Sequence, residues 1–227
     1  KNLKWTYRII FIPETIGAIA YLNKNEKKLK NIDFGLNICN CGGPGKFGYK
    51  QSWSKNHFIN KLVEKTFKTS KLNFKTYLFD INGSDERQYS SPAFRINMIT
   101  ISKDKYYEFP QYHNSLDNLD FVKPNNLSKS LKVYKNLIKN IENLEIYKRT
   151  QDHGEIMLKK YNLQRSKGGA FLPGKEKEKI NNILWILFLI DGKKDLKTIQ
   201  QITKINEKIF KELIDELKSK KIIKHVS

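Results

Sequence analysis

The sequence predicts an α/β fold with a mainly parallel sheet flanked by helices, followed by a small winged-helix-like α+β domain. Apolar strand-like segments alternate with helical segments in residues 1–149, a polar and glycine-rich linker covers residues 150–174, and three helices with a short strand fill residues 175–227. Strands that are joined through helices return in the same direction, which favours a parallel sheet. These three stretches are therefore predicted as one large domain, a linker and a small domain.

The elements of the large domain follow from their apolar patterns. Two amphipathic helices are predicted over 55–70 and 127–147, because their apolar residues recur at intervals of three and four. A further helix starts near Pro13, a residue that is favoured in a first helical turn. The predicted strands cover residues 5–12 (WTYRIIFI), 31–40 (NIDFGLNICN), 73–80 (NFKTYLFD) and 94–102 (FRINMITIS).

The small domain has recognisable helix boundaries. A buried helix over 180–190 stops at Asp191-Gly192, and Asp195 and Asn206 are placed to cap two further helices. A short strand at 222–226 completes a winged-helix-like pattern. The third helix exposes lysines and acidic residues together, which favours a protein-facing or substrate-capping role over DNA binding.

The charge of the chain invites a nucleic-acid hypothesis that the residue types disfavour. Among 227 residues, 43 are basic and 23 acidic, so the formal net charge is 43 − 23 = +20. Only five of the 43 are arginine, the usual partner of phosphates and base edges, and the lysines are dispersed. Binding to nucleic acid is therefore kept as the third hypothesis.

Other features exclude a membrane-spanning or disulfide-stabilised protein. The longest apolar run, residues 183–190, has eight residues, whereas a membrane-spanning helix needs about 20. Cys39 and Cys41 are two positions apart and cannot form a disulfide framework. A cytoplasmic protein is expected. Because the chain starts at Lys1 and runs directly into a predicted strand, we expect it to be the C-terminal portion of a longer protein. The apolar 183–190 helix packs within its own domain or against a partner, which leaves a homo-oligomer open.

Candidate site residues follow the predicted strands, where ligands bind in parallel sheets. Glu14 is either a first-turn residue that complements a helix dipole or a general base at the mouth of the sheet. The stretch 83–89 (GSDERQY) is a solvated turn or a substrate site that uses Asp85, Glu86, Arg87 and Tyr89. His113, in a loop rich in carboxylates and amides, is a surface residue or a zinc ligand.

Three segments together resemble a known family. FIPETIG at 11–17, GSDERQY at 83–89 and YHNSLDNLD at 112–120 look like the zinc aminopeptidase-like family (peptidase clan MH), and within it the bacterial branch that carries a C-terminal winged-helix-like domain. The resemblance implies a hydrolase of a peptide or other amide bond that uses zinc-activated water. By position, it implies that Glu14 is the general base, that His113 is a zinc ligand, and that Asp85, Glu86, Arg87 and Tyr89 line the substrate site.

The chain also departs from the family pattern. Thr15 stands where the family has a glutamate that binds zinc, and the stretch 41–44 (CGGP) holds no acid where one is expected. These departures support a second hypothesis, a non-catalytic binding protein on the same scaffold. The residues present supply one zinc ligand, His113, whereas catalytic zinc sites usually have three protein ligands.

Overall fold

A computed structural model describes residues 3–164 and 174–226, which form two compact units. The first, called here the α/β unit, contains Tyr7–Glu142. The second, called the C-terminal unit, runs from Asn143 onward and includes the residues before Tyr7. The predicted linker, 150–174, lies partly outside the described residues, which omit 165–173. Its described part contains a short 3₁₀ helix, Leu158–Tyr161, whose Leu158 is buried in the core of the C-terminal unit.

The sheet of the α/β unit is mixed, in contrast to the mainly parallel sheet predicted from the sequence. Its strands are β1 (Phe34–Ile38), β2 (Phe47–Lys50), β3 (Phe74–Tyr77) and β4 (Asn97–Ser102). Their order is β1-β4-β2-β3, with β1/β4 and β2/β3 parallel but β2/β4 antiparallel. The connection from β1 to β2 contains no helix, and a chain that returns without a crossover helix reverses its direction.

Four helices accompany this sheet, and their apolar faces supply the core. The longest, α4, buries Val133, Leu137 and Ile141 at four-residue intervals, as the sequence period predicts. On α2, Ile59, Val63 and Phe67 repeat the same interval. The helices are α1 (Ile16–Leu29), α2 (Phe58–Thr69), α3 (Glu86–Tyr89) and α4 (Pro124–Glu142).

The predicted first strand, residues 5–12, is absent. This segment has no strand pairing, and Ile9 and Phe11 are 79% and 95% exposed. The boundary between the two units also falls inside it, between Thr6 and Tyr7. A strand needs a partner for its backbone groups, and an apolar sequence does not reveal whether one is within reach.

The C-terminal unit consists of helices and a small antiparallel sheet of order β6-β5-β7. Its middle strand begins at Ile146, so the helix predicted over 127–147 ends at Glu142 and the chain then forms a strand. The predicted caps are confirmed: Asp195 accepts a hydrogen bond from the N–H of Lys197, and Asn206 accepts from Lys208. Its elements are β5 (Ile146–Arg149), α5 (Gly174–Leu189), β6 (Asp191–Asp195), α6 (Leu196–Thr203), α7 (Glu207–Ser219) and β7 (Ile223–His225).

The winged-helix-like assignment of this unit stays a prediction. What the structure shows is a core shared by the helices and the small sheet, with Ile183, Ile199 and Leu217 almost fully buried in it. Within residues 3–164 and 174–226, no helix has the length and apolar character needed to cross a membrane.

Candidate functional site

Glu14 lies in a strained turn directly before α1. The N–H of Ile16 donates to the carbonyl of Glu14 at 2.7 Å, and Thr15 between them has φ 61° and ψ −68°. These angles and this bond define a γ-turn of the rare positive-φ type. A β-branched residue is especially unfavourable at positive φ. Such strain persists only where the surroundings hold it in place, and it is concentrated at functional sites.

Asp85 is the group that holds this turn. Its Oδ1 accepts a hydrogen bond from the backbone N–H of Thr15 at 2.7 Å, although the two residues are 70 positions apart. Asp85 precedes the short helix α3 but makes no side-chain capping bond to it. The carboxylate is thus directed to the Glu14–Ile16 turn, and the two predicted site residues Glu14 and Asp85 come together.

Cys39 and Tyr112 are both within electrostatic range of Glu14. Cys39 directly follows β1, and burial, aided by the charges of Glu86, Glu14 and Asp85, raises the pKa of its thiol to about 12. A thiol with this pKa stays protonated at neutral pH and is a poor nucleophile. The pKa of Tyr112 is raised by burial and also by Glu14 and Cys39. The site therefore presents carboxylates and a phenol, without an activated thiol.

Glu86 has a different environment from its neighbour Asp85. Its side chain has no exposed surface and forms an ion pair with Lys50, with 3.0 Å between Oε1 and Nζ. Asn37 of β1 donates to the other carboxylate oxygen at 3.0 Å. Both oxygens are therefore bound within the protein, and the side chain lies below the surface next to Asp85. That Glu86 lines a substrate site stays a prediction.

Gly83 lets the chain pass close over this ion pair. Its φ is +150°, and a Cβ at this position would lie 2.0 Å from Oε1 of Glu86 and 2.9 Å from Nζ of Lys50. Only glycine adopts this backbone conformation readily. Glycine is therefore required at position 83 because the backbone passes close to a buried ion pair.

We expect Gly83→Ala to destabilise the protein by about 2–5 kcal/mol, because overpacking and positive-φ strain add. Gly154→Ala is the matched control, since Gly154 also has a positive φ, +67°, but no heavy atom within 4 Å of the added Cβ. The control should cost only the backbone strain, about 1–2 kcal/mol. Urea denaturation of both variants measures the difference, and equal losses would contradict the proposed contact with Glu86 and Lys50.

The remaining predicted site residues are distributed around this centre. Arg87 is exposed, and its charge opposes the upward shift in the pKa of Asp85. Tyr89 is 7% exposed and packs in a core cluster with α1; burial and the charge of Asp85 raise its pKa to about 12. His113 is exposed and stacks on Tyr112 with 3.9 Å between ring centroids. His113 is therefore in contact with Tyr112, whose pKa the charge of Glu14 helps to raise.

A zinc ion at this site would require several protein ligands close together. Across residues 3–164 and 174–226, no three or more His, Cys, Asp or Glu side chains are grouped as a metal site requires. Glu14, Asp85 and His113 therefore do not by themselves form a zinc site, and three protein ligands are the usual number for catalytic zinc.

Two features of the site were not predicted from the sequence. Lys50 is one of 38 lysines in the chain and has no distinctive motif around it, yet it is 4% exposed and bound to Glu86. The strained φ of Thr15 also has no sequence signature. For Lys50, the only available signal was the excess of acids in 80–86, which a buried cation could neutralise.

The ionisation of Asp85 should reduce stability in a pH-dependent way. Burial, followed by the charges of Glu14 and Glu86, raises the pKa of Asp85 above its usual 3.8, against the opposing bond from Thr15. The folded protein thus holds this proton to higher pH than the unfolded chain does, so stability falls as pH rises from about 3.8 through the raised pKa. We expect Asp85→Asn, which keeps an oxygen acceptor for Thr15, to be more stable than the wild type at pH 7. The advantage should disappear below pH 3.8; a pH-independent difference would contradict this assignment.

Comparison with known proteins identifies the family. The domain family described as "Domain of unknown function (DUF4910)" matches residues 1–144. The chain belongs to this family. The matched range contains all of the candidate site residues described above, so the site lies within the DUF4910 domain of this chain.

A curated protein and a solved structure, both from Clostridium acetobutylicum, are similar to this DUF4910 chain. One, named "Putative polysaccharide biosynthesis protein with aminopeptidase-like domain", is 36% identical over 197 residues, which are 86% of this chain and 44% of that protein. The other is a crystal structure named as a "putative peptidase", which superposes with a TM-score of 0.64 at 32% identity and covers 100% of this chain and 50% of that one. The chain thus spans about half the length of these relatives. The names support the aminopeptidase-like family and a peptidase-like fold.

Proposed function

We propose that this chain carries part of the active site of an aminopeptidase-like hydrolase that cleaves a peptide or another amide bond. The observation that carries the proposal is the convergence of Glu14 and Asp85 through the 2.7 Å bond from Thr15 N–H to Asp85. Residues from two distant segments hold a strained turn directly before α1, as expected where function and not stability determines the local conformation. The aminopeptidase-like and peptidase names of the relatives support the same class.

The two carboxylates have separate roles in this proposal. Glu14 is exposed and is the general base that accepts a proton from the attacking water and passes it to the leaving amine. Asp85, held by Thr15, faces the charged amino group of the substrate. In a chain of net charge +20, Glu14 and Asp85 form no ion pair among the described residues, although the charge of Arg87 partly offsets that of Asp85. The two carboxylates give a local negative field that attracts an ammonium group. Arg87 and Tyr112 then border the substrate, and Glu86 and Tyr89 support it from below.

Zinc remains part of the proposal as a cofactor of the complete protein. When bound, zinc would supply a water molecule with a pKa of about 7. In this chain, His113 is the proposed ligand. Because the described residues contain no group of three ligands, the further ligands would have to come from outside them.

A non-catalytic binding protein on the same scaffold is the second candidate. Thr15 favours it, because threonine replaces an acid that binds metal in the resembled family, and its side chain is not a substitute ligand for zinc. In that case the carboxylates would bind a cationic partner without cleaving it.

Metal content distinguishes the two candidates. The natural full-length protein and its His113→Ala variant are purified with zinc and measured by mass spectrometry, with Asn114→Ala as a neighbouring control. The hydrolase proposal predicts one or two zinc ions per chain, with a loss in His113→Ala alone. No bound zinc, and no difference among the three proteins, would leave the binding-protein hypothesis.

A further inference from the structure

Lys50 is the centre of a buried polar network behind the site. Its ammonium is in contact with Glu86 at 3.0 Å, Asp80 at 3.1 Å and the hydroxyl of Tyr106 at 3.3 Å. It also donates to the carbonyl of Asn82. The side chain is 4% exposed. A buried charge is tolerated when paired and hydrogen-bonded, and here the partners come from two segments, the loop 80–86 and Tyr106.

The loop that carries Asp85 surrounds the ammonium of Lys50. Residues 80, 82 and 86 are all bound to the same ammonium, so the chain from Asp80 to Glu86 is wrapped around Lys50. Gly83 lies in the middle of this loop, where any side chain would collide with the ion pair. Tyr106 also binds the loop, since its hydroxyl donates to the carbonyl of Asn82 at 2.9 Å. The loop is therefore fixed at three positions: residues 80 and 82 before Asp85, and residue 86 directly after it.

The contacts continue from Lys50 to the strained turn. Lys50 binds Glu86, the next residue to Asp85, and Asp85 accepts from Thr15, the next residue to Glu14. Asn37 on β1 binds the second oxygen of Glu86, which fixes the network to the sheet. A displacement of Glu86 would therefore move the acceptor that holds Thr15 in its γ-turn.

We infer that Lys50 is a positioning residue, which holds the 80–86 loop so that Asp85 binds Thr15 and fixes Glu14 in the strained turn. The inference deepens the proposed function, on which its catalytic consequence rests. Lys50 touches neither the exposed carboxylate of Glu14 nor the surface where a substrate would bind, and it acts only through the loop. It also neutralises Glu86, so that Glu14 and Asp85 carry the negative charge of the site.

Amide hydrogen exchange tests this inference without requiring catalysis. The variant Lys50→Met with Glu86→Gln removes both charges together and leaves no unpaired buried ion. In the natural full-length protein, we expect exchange at Thr15 to become at least tenfold faster in this double variant, with no change at Ile99 in the buried strand β4. Lys103→Met is the matched control, since Lys103 is also a buried lysine, 5% exposed, but donates to Asn126 outside the loop. It should leave Thr15 unchanged.

Each outcome decides the inference. Unchanged exchange at Thr15 in the double variant would overturn it, and so would equal acceleration at Thr15 and Ile99, because that result indicates general loss of stability. If the wild type hydrolyses amides, the double variant should lose at least tenfold in kcat. The single variant Lys50→Arg, which keeps the positive charge, should lose less. If the wild type hydrolyses none, the proposed function fails while the exchange result still decides the role of Lys50.

Discussion

Replacing Lys50 by methionine is expected to lower the free energy of unfolding by about 3–5 kcal/mol, the usual cost of leaving one member of a buried ion pair uncompensated. Glu86 has no exposed surface, and its carboxylate would remain between Asn37 and the methionine. Burial alone would lower the pKa of Lys50, but Glu86, with help from Asp80 and Tyr106, outweighs burial and raises it. The lysine is therefore charged in the folded protein, and its loss removes a full charge.

Two further variants separate this effect from ordinary loss of packing. The double variant with Glu86→Gln removes the orphaned charge, so it should recover most of the lost stability, as neutral replacements of buried pairs generally do. Lys103→Met should change stability by less than about 1 kcal/mol, because Lys103 forms no ion pair among the described residues and the charge of Asp104 does not outweigh its burial. Burial, together with Lys129, lowers the pKa of Lys103. Urea unfolding measures all three, and similar losses in Lys50→Met and Lys103→Met would contradict the assigned pair.

Replacing Glu14 by glutamine is expected to lower amide hydrolysis by about 10²–10⁴-fold, the contribution of a well-placed general base. Glutamine has the same shape but does not accept a proton. Because Glu14 is exposed and its side chain makes no hydrogen bond among the described contacts, stability should change by less than about 0.5 kcal/mol. The loss should appear in kcat, measured with saturating substrate.

The matched control for this variant is Glu26→Gln in helix α1. Glu26 is also exposed, and among the described residues it is paired with Lys30, four residues further along the helix, an interaction of about 0.3–0.5 kcal/mol. If Glu26→Gln keeps full activity while Glu14→Gln loses it, the result supports Glu14 as the general base. A Glu14→Gln variant that keeps wild-type kcat would show that another group accepts the proton.

Local signals in the sequence predicted the helices of both units well. Asp195 and Asn206 are capping residues at the start of apolar periodic segments, and the structure has helices that begin at Leu196 and Glu207. These signals lie within one turn of chain and do not depend on the rest of the fold. The same holds for α4, apart from its last residues.

The strands were harder to predict because a strand depends on a neighbour that may be distant in sequence. The apolar segment 5–12 lacks such a neighbour among the described residues, whereas the short β2, with Gly48 and a buried lysine, has two. The apolar residues at the start of strand β5 continue the helical spacing of α4, so the sequence predicts a helix that extends to residue 147. The site shows the same division. Asp85 could be named from its place after the predicted strand 73–80, whereas the strand predicted before Glu14 is absent. The bond from Thr15 to Asp85 and the burial of Glu86 beside Lys50 depend on tertiary structure.

The most direct test of the proposed site compares a peptide that has a free N-terminus with the same peptide N-acetylated. The full-length protein, supplied with zinc, is incubated with each, and the release of the N-terminal residue is followed by mass spectrometry. If Asp85 receives a charged amino group and Glu14 activates water, only the free peptide is cleaved, and Glu14→Gln abolishes the cleavage. Cleavage of neither peptide by the zinc-loaded protein, or equal cleavage of both, would contradict the account.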